Sequence, residues 1–224
     1  MIILSYPVGA GGNFFGSLLA LLINNCHNQV LADGSMHSVP KHGYTGIKIV
    51  DSSIDFTEQG TYKNYFKNKN PLHTPIIITH MEDLTRLTEL LPGWKLVYIT
   101  ITDFKWIGIQ QANFLKKVII GTWSKNLYQA FAGPDWPAFN QDVSQMPQWV
   151  IDDMLNINSK YINSWKFTLP EDHAHCLEIP MELTVHPSLL LNRIITFFNL
   201  HPSEEQHQQA LDLINNYIKI NNYE

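Results

Sequence analysis

The amino-acid sequence predicts an α/β fold, with a mostly parallel sheet flanked by helices on both faces. Two observations predict it. Strands and helices alternate along the chain, the order that builds parallel βαβ units. The chain also opens with an apolar strand, Met1 to Tyr6, that runs through the turn Pro7-Val8-Gly9-Ala10-Gly11-Gly12-Asn13 straight into an apolar helix, Phe14 to Ile23. A strand, a glycine-rich turn and a helix in that order begin a wound sheet whose ligands sit outside the carboxyl ends of its strands.

The remaining elements follow in order. A polar, glycine-dotted stretch, Asn24 to Gly46, leads to a strand at Ile47 to Val50, and Asp51 to Asn70 reads as a short helix and loop. Pro75 to His80 is a short apolar run ending in polar residues, which suits a buried parallel strand. Asp83 to Leu91 has leucines at helical spacing (Leu84, Leu87, Leu90, Leu91) and stops at Pro92-Gly93. Trp94 to Thr102, apolar and rich in β-branched residues, is the clearest strand. Thr102 or Asp103 caps a helix over Phe104 to Ile120, with a second helical piece at Trp123 to Phe131. Four breakers, Gly133, Pro134, Pro137 and Pro147, make Ala132 to Pro147 a loop long enough to form a lid or rim. Helix resumes over Gln148 to Trp165. Cys176 to Ile179 is a short strand, two helices follow at Pro187 to Phe198 and Pro202 to Ile220, and the Asn-rich end, Asn215 to Asn222, reads as a fraying tail.

Composition bounds the function. A chain of 224 residues with 45% hydrophobic content is long enough for one domain over 1–224 with a substantial core. Fifteen basic against 20 acidic residues, a net charge of −5, argue against duplex nucleic acid or anionic membrane as partner. Cys26 and Cys176 lie far apart without metal spacing, so a reducing, cytoplasmic setting is expected. The N-terminus has no basic region of a signal peptide, and Leu18 to Ile23 is too short to span a bilayer.

The opening turn is the strongest candidate site. Glycines let successive N–H groups point inward without β-carbons, and the helix N-terminus adds partial positive charge, so Gly9, Ala10, Gly11, Gly12, Asn13 and Phe14 are candidates for a phosphate or nucleotide. The pattern differs from G-x-x-x-x-G-K-[ST], and no Lys or Arg occurs between Ile2 and Pro40. The alternative is a tight turn in which Gly11 and Gly12 allow close strand–helix packing. Two further segments put chemistry at the same sheet edge: Thr79-His80 after one strand, and Thr100 to Lys105 after the next.

The order of segments resembles the sulfotransferase family. Ser5 to Asn13 is similar to the family's 5′-phosphosulfate loop, often Tyr-Pro-Lys-Ser-Gly-Thr. Ile78-Thr79-His80-Met81 with Leu90-Leu91-Pro92 is similar to its Lys-Thr-His-Leu-Pro segment, and Trp94 to Ile99 to its strand leading to the 3′-phosphate site. Leu177-Glu178-Ile179-Pro180-Met181-Glu182-Leu183, the Pro187 to Ile195 helix and Phe197-Phe198-Asn199-Leu200 resemble its Tyr-Glu-Asp-Leu…Pro…Phe-Leu-Gly-Leu ending. The resemblance implies a three-layer P-loop-type fold that binds 3′-phosphoadenosine-5′-phosphosulfate (PAPS) and moves its sulfuryl group, without a metal, to a hydroxyl or amine. The acceptor implied is a small molecule or glycan. On that reading the turn holds the 5′-phosphosulfate, His80 takes the acceptor's proton, and Thr102 and Gln110 face the 3′-phosphate.

The chain departs from the family pattern at its charges. Val8 stands where the loop has lysine, Ile78 where lysine precedes Thr-His, and Thr100-Ile101-Thr102-Asp103 offers no arginine after the 3′-phosphate strand. Lys105, Lys116 and Lys117 are candidates to replace them. Two other readings follow from the losses: a catalytically degenerate domain that binds a partner, or a nucleotide-dependent, kinase-like enzyme. His173 and His175 alternate beside Asp172, but a third metal ligand is missing nearby.

Overall fold

The structure, a computed structural model, describes residues 2–7, 10–25, 46–49, 74, 76–79, 83–90, 92–102, 152, 156, 166–172 and 174–221. The chain divides into two compact units, Met1–Thr102 with Lys166–Glu224, and Asp103–Trp165. Of the second, Asp152 and Asn156 are described, both in helix. The expected helices at 104–120 and 123–131, the loop at 132–147 and the segment 51–70 lie outside the described residues.

The first unit holds five described strands: β1 (Ile2–Ser5), β2 (Gly46–Ile49), β3 (Ile76–Thr79), β4 (Lys95–Thr100) and β5 (Cys176–Pro180). They form one sheet in the order β2-β3-β1-β4-β5. Every described pairing is parallel, with Ile2 opposite both Ile76 and Lys95. The α/β fold with a parallel sheet flanked by helices is therefore the one the sequence predicts. β1 is central and reads Ile2-Ile3-Leu4-Ser5 because both of its faces are covered; all four residues are buried.

From β1 the chain moves outward to β2. From β3 it passes over β1 to β4, so the winding reverses at β1. Right-handed crossovers, the near-universal hand, put the helices that follow β1 and β3 on opposite faces. The carboxyl ends of β1 and β4 thus flank the switch point, where sheets of this kind bind ligands.

Helix α1 (Gly12–Asn24) follows β1 and is buried almost all round, with Phe14, Phe15, Leu18, Leu19 and Leu22 in the core. It packs between the sheet and the last helix. The short α2 (Leu84–Leu90) is capped by Asp83, whose Oδ1 accepts the Arg86 N–H at 2.9 Å, and buries Leu84 and Leu87. β5 runs into a 3₁₀ turn, Met181–Val185, which the sequence reading did not foresee, and then into α3 (Pro187–Phe198) with Pro187 at its first turn. Ser203 caps α4 (Glu204–Asn221) through the Gln206 N–H.

One expectation is corrected here. The Asn-rich end is helix to Asn221, because Ala210, Ile214 and Tyr217 form a buried stripe at helical spacing and anchor the last turns.

Side chains close the helix ends. Asn25 ends α1 in the left-handed region (φ 52°), and Gln206 Nε2 donates to the Leu21 and Leu22 carbonyls at 2.7 and 3.0 Å. Asn24 Nδ2 donates to the Thr74 carbonyl at 2.9 Å, and the Thr74 N–H returns a bond to Asn24 Oδ1 at 2.7 Å. At the opposite edge of the sheet from the switch point, Lys95 Nζ donates to the Phe197 carbonyl at 3.2 Å and lies 5.2 and 5.0 Å from the Phe197 and Phe198 ring centroids. A cation thus meets the negative end of α3.

Gln206→Ala leaves two α1 carbonyls without that donor and is expected to cost about 1–2 kcal/mol. Gln208→Ala, which loses only an exposed bond to Asp212, should stay within about 0.5 kcal/mol. Urea midpoints at unchanged slope compare the two; equal losses would mean that Gln206 does not cap α1.

Candidate functional site

The site is built on the chain leaving β1. Tyr6 and Pro7 continue the strand's buried course, and the Ala10 N–H donates to the Pro7 carbonyl at 3.0 Å, closing a turn. Gly11 then takes φ 67°, ψ 24°, a left-handed conformation that costs an L-residue, and serves as the N-cap of α1. Its carbonyl accepts the Phe15 N–H at 3.0 Å, the first helical bond. As glycine, the N-cap residue brings no side-chain oxygen, so it makes no side-chain hydrogen bond to the first turn. The first-turn N–H groups and the positive end of α1 therefore face the carboxyl edge of the sheet without a capping oxygen.

Both described glycines of the turn, Gly11 and Gly12, also have a packing reason. A β-carbon on Gly11 would stand 2.6 Å from Tyr217 Oη and 3.7 Å from Met181 Cε. A β-carbon on Gly12 would fall on the ring of Tyr6. Two buried tyrosines, one from the strand exit and one from α4, occupy the space that side chains would take. Burial holds the Tyr6 phenol well above the ordinary tyrosine range. Tyr217 stacks on Phe14, with centroids 3.9 Å apart and planes 7° from parallel, and Phe14 meets Phe15 edge-on at 5.0 Å. The turn is thereby fixed from three sides: β1, α4 and the 3₁₀ turn.

The neighbouring edge is the exit of β4. Thr100 Oγ1 donates to Glu178 Oε1 at 2.9 Å. Both donors of Thr102, its N–H at 2.8 Å and its hydroxyl at 3.2 Å, go to Glu182 Oε1. Glu182 follows Met181, the residue that reaches Gly11, so the 3₁₀ turn touches the glycine turn with one residue and the β4 exit with the next. Further down β4, Tyr98 packs edge-on against Phe167 at 5.2 Å. Its phenol is pushed up by burial first, then by Glu178 and Cys176, against a lowering by Arg193. The half-buried Cys176 thiol is raised by burial and by Asp172.

Of the residues the sequence singled out, Ala10, Gly11, Gly12, Asn13 and Phe14 form the turn and the first turn of α1, and Thr102 lies at the β4 exit. Gly9, His80 and Gln110 lie outside the described residues, as do His173 and Lys105. Tyr6, Met181, Glu182 and Tyr217 join the site without having been singled out for it. Tyr217 had a signal in its spacing from Ala210 and Ile214; Glu182 and Met181 had none beyond their place in the β5 segment. Among the described residues no group of three His, Cys, Asp or Glu could hold a metal ion, and no helix is long and apolar enough to cross a membrane.

Gly11→Ala should destabilise the chain by about 1–2 kcal/mol from the left-handed backbone alone, plus the crowding against Tyr217. Removing the phenol oxygen in the same chain, as Gly11→Ala/Tyr217→Phe, should recover the crowding part, with a coupling of about 0.5 kcal/mol or more. Additive losses would show that the two residues do not meet.

No family model matches the chain, and no curated protein matches it in sequence. Solved structures do. The structure of retinol dehydratase in complex with androsterone and the inactive cofactor PAP aligns with 98% of this chain at 12% identity and a TM-score of 0.50. That of mouse sulfotransferase SULT7A1 complexed with PAP aligns with 95% at 12% identity and a TM-score of 0.45. The chain spans 66% and 63% of the lengths of these two proteins. The parallel sheet, its strand order and the first likeness together give this chain a sulfotransferase-like fold.

Proposed function

We propose that the chain is a sulfotransferase, moving a sulfuryl group from PAPS to a hydroxyl or amine of a small-molecule or glycan acceptor. The observation that carries the reading is the N-terminus of α1, whose N-cap, left-handed Gly11, brings no side-chain oxygen and lies at the carboxyl end of the central strand. The neighbour retinol dehydratase was crystallised with PAP, a nucleotide of the class this reading requires. The residues present fit such a group at its 5′ end, since successive N–H groups and a helix N-terminus bind anionic oxygens without a cation.

Sulfuryl transfer, like phosphoryl transfer, asks the protein for positioning and charge stabilisation. The N–H groups of Gly9 to Asn13 hold the 5′-phosphosulfate; of Thr102 and Gln110, the residues this reading assigns to the 3′-phosphate, Thr102 already gives both of its donors to Glu182. His80, the residue after β3 in sequence, takes the acceptor's proton as the acceptor oxygen or nitrogen bonds to sulfur and the bond from sulfur to the bridging oxygen breaks, releasing PAP.

A second reading, a domain that binds its ligand without turnover, is favoured by one observation: no Lys or Arg occurs between Ile2 and Pro40 to neutralise the sulfuryl oxygens.

Thermal stability with adenosine-3′,5′-bisphosphate, with ATP plus Mg²⁺ and with neither tests the donor class. Ligand at a hundred times its dissociation constant adds about 2.7 kcal/mol, a clear rise in Tm. A selective rise with the bisphosphate is expected; a rise only with ATP and Mg²⁺ indicates a kinase-like enzyme, and none at millimolar ligand sinks the nucleotide site. His80→Ala should then lower turnover of a labelled sulfuryl donor by roughly 10²–10⁴ while leaving donor binding intact. Unchanged turnover would remove His80 from the reaction.

A further inference from the structure

We infer that Glu182 is the specificity-determining residue of the donor site, a resident carboxylate that competes with the nucleotide's 3′-phosphate for the donors of Thr102. The inference rests on the proposed reading that a nucleotide lies across the glycine turn and the β4 exit. Three observations meet in it. Thr102 offers one N–H and one hydroxyl proton at the β4 exit, and both are already given to Glu182 Oε1, at 2.8 and 3.2 Å. The next hydroxyl along the strand, that of Thr100, is given to a second carboxylate, Glu178, at 2.9 Å. Met181, the residue before Glu182, comes within 3.7 Å of the position where Gly11 would carry a β-carbon, so consecutive residues of the 3₁₀ turn meet the glycine turn and Thr102.

The chemistry follows from charge and donor count. A carboxylate and a phosphate compete for the same N–H and O–H groups, because both are anionic acceptors of charge-assisted bonds. A phosphate brought to Thr102 must therefore release both bonds from Glu182 and then sit beside its negative charge. The segment that leaves β4, Thr100-Ile101-Thr102-Asp103, holds an acid, Asp103, and neither Lys nor Arg. A ligand that ends in a ribose hydroxyl meets no such penalty; a hydroxyl donates to a carboxylate. The wild-type site therefore binds a nucleoside 5′-phosphate about as well as the 3′,5′-bisphosphate, and the 3′-phosphate contributes little until Glu182 is neutralised.

Glu182→Gln isolates the charge, since the amide oxygen still accepts from the Thr102 N–H and hydroxyl while the negative charge is gone. Calorimetric titration of wild type and variant uses two probes, adenosine-3′,5′-bisphosphate and adenosine 5′-monophosphate. The expected result is a wild-type affinity ratio within about threefold and a variant ratio at least tenfold in favour of the bisphosphate, with monophosphate affinity unchanged. Glu182→Ala, which also removes the amide, should shift the ratio in the same direction and guards against an effect peculiar to glutamine. A wild-type preference of tenfold or more for the bisphosphate would overturn the inference. So would a variant that weakens both probes equally, the outcome of a purely structural clasp. If neither probe binds wild type or variant at millimolar concentration, the nucleotide reading itself falls and takes the inference with it. Monophosphate binding with an unmoved ratio removes the role of Glu182 alone.

Discussion

The contact on which the site depends is the stack of Tyr217 on Phe14, with the phenol oxygen against Gly11. It joins the first turn of α1 to the last turns of α4 and fixes where the chain bends on leaving β1. The ring area buried there stabilises the α1–α4 packing, and the hydroxyl sets the steric limit at Gly11. A larger residue at position 11 meets two penalties at once, an unfavourable backbone and an occupied space. Gly12 repeats the arrangement with Tyr6, so two phenols from opposite ends of the chain outline the turn.

Packing and anion binding are compatible explanations of the same glycines. The phenols press on the Cα atoms, whereas an anion at the helix N-terminus is held by N–H groups. The β4 exit is the opposite case, because Thr102 has its donors engaged by a carboxylate of its own chain. One half of the candidate site is thus a neutral cradle of N–H groups and the other carries negative charge, joined by the Met181-Glu182 pair.

The fold was largely legible in the sequence because its signals are local. A central parallel strand must be apolar on both faces, and Ile2-Ile3-Leu4 and Leu96-Val97-Tyr98-Ile99 say so directly. The leucine spacing of α2 and the breakers after it are equally short-range. What was not legible is long-range. Glu182 reaches Thr102 across 80 positions and Gln206 reaches Leu21 across 185, and no pattern within one segment encodes either pair. The C-terminal turns of α4 were hidden by composition: asparagines at 215 and 216 read as tail, while Tyr217 between them and the end carries the packing. The glycine turn was found, yet the sequence could not separate room for an anion from room for a tyrosine ring.

The position of Tyr217 also sets the order in which the molecule matures. Chains emerge from synthesis N-terminus first, at about 5–20 residues per second, so the turn at residues 7–12 is made before the strands that flank β1. Its central strand nevertheless waits for partners that begin at Ile76 and Lys95, and its floor arrives only with residue 217 of 224. The glycine turn is therefore made early and finished late, and a nascent chain, or one cut before Tyr217, carries the strand and the glycines without the ring that shapes them.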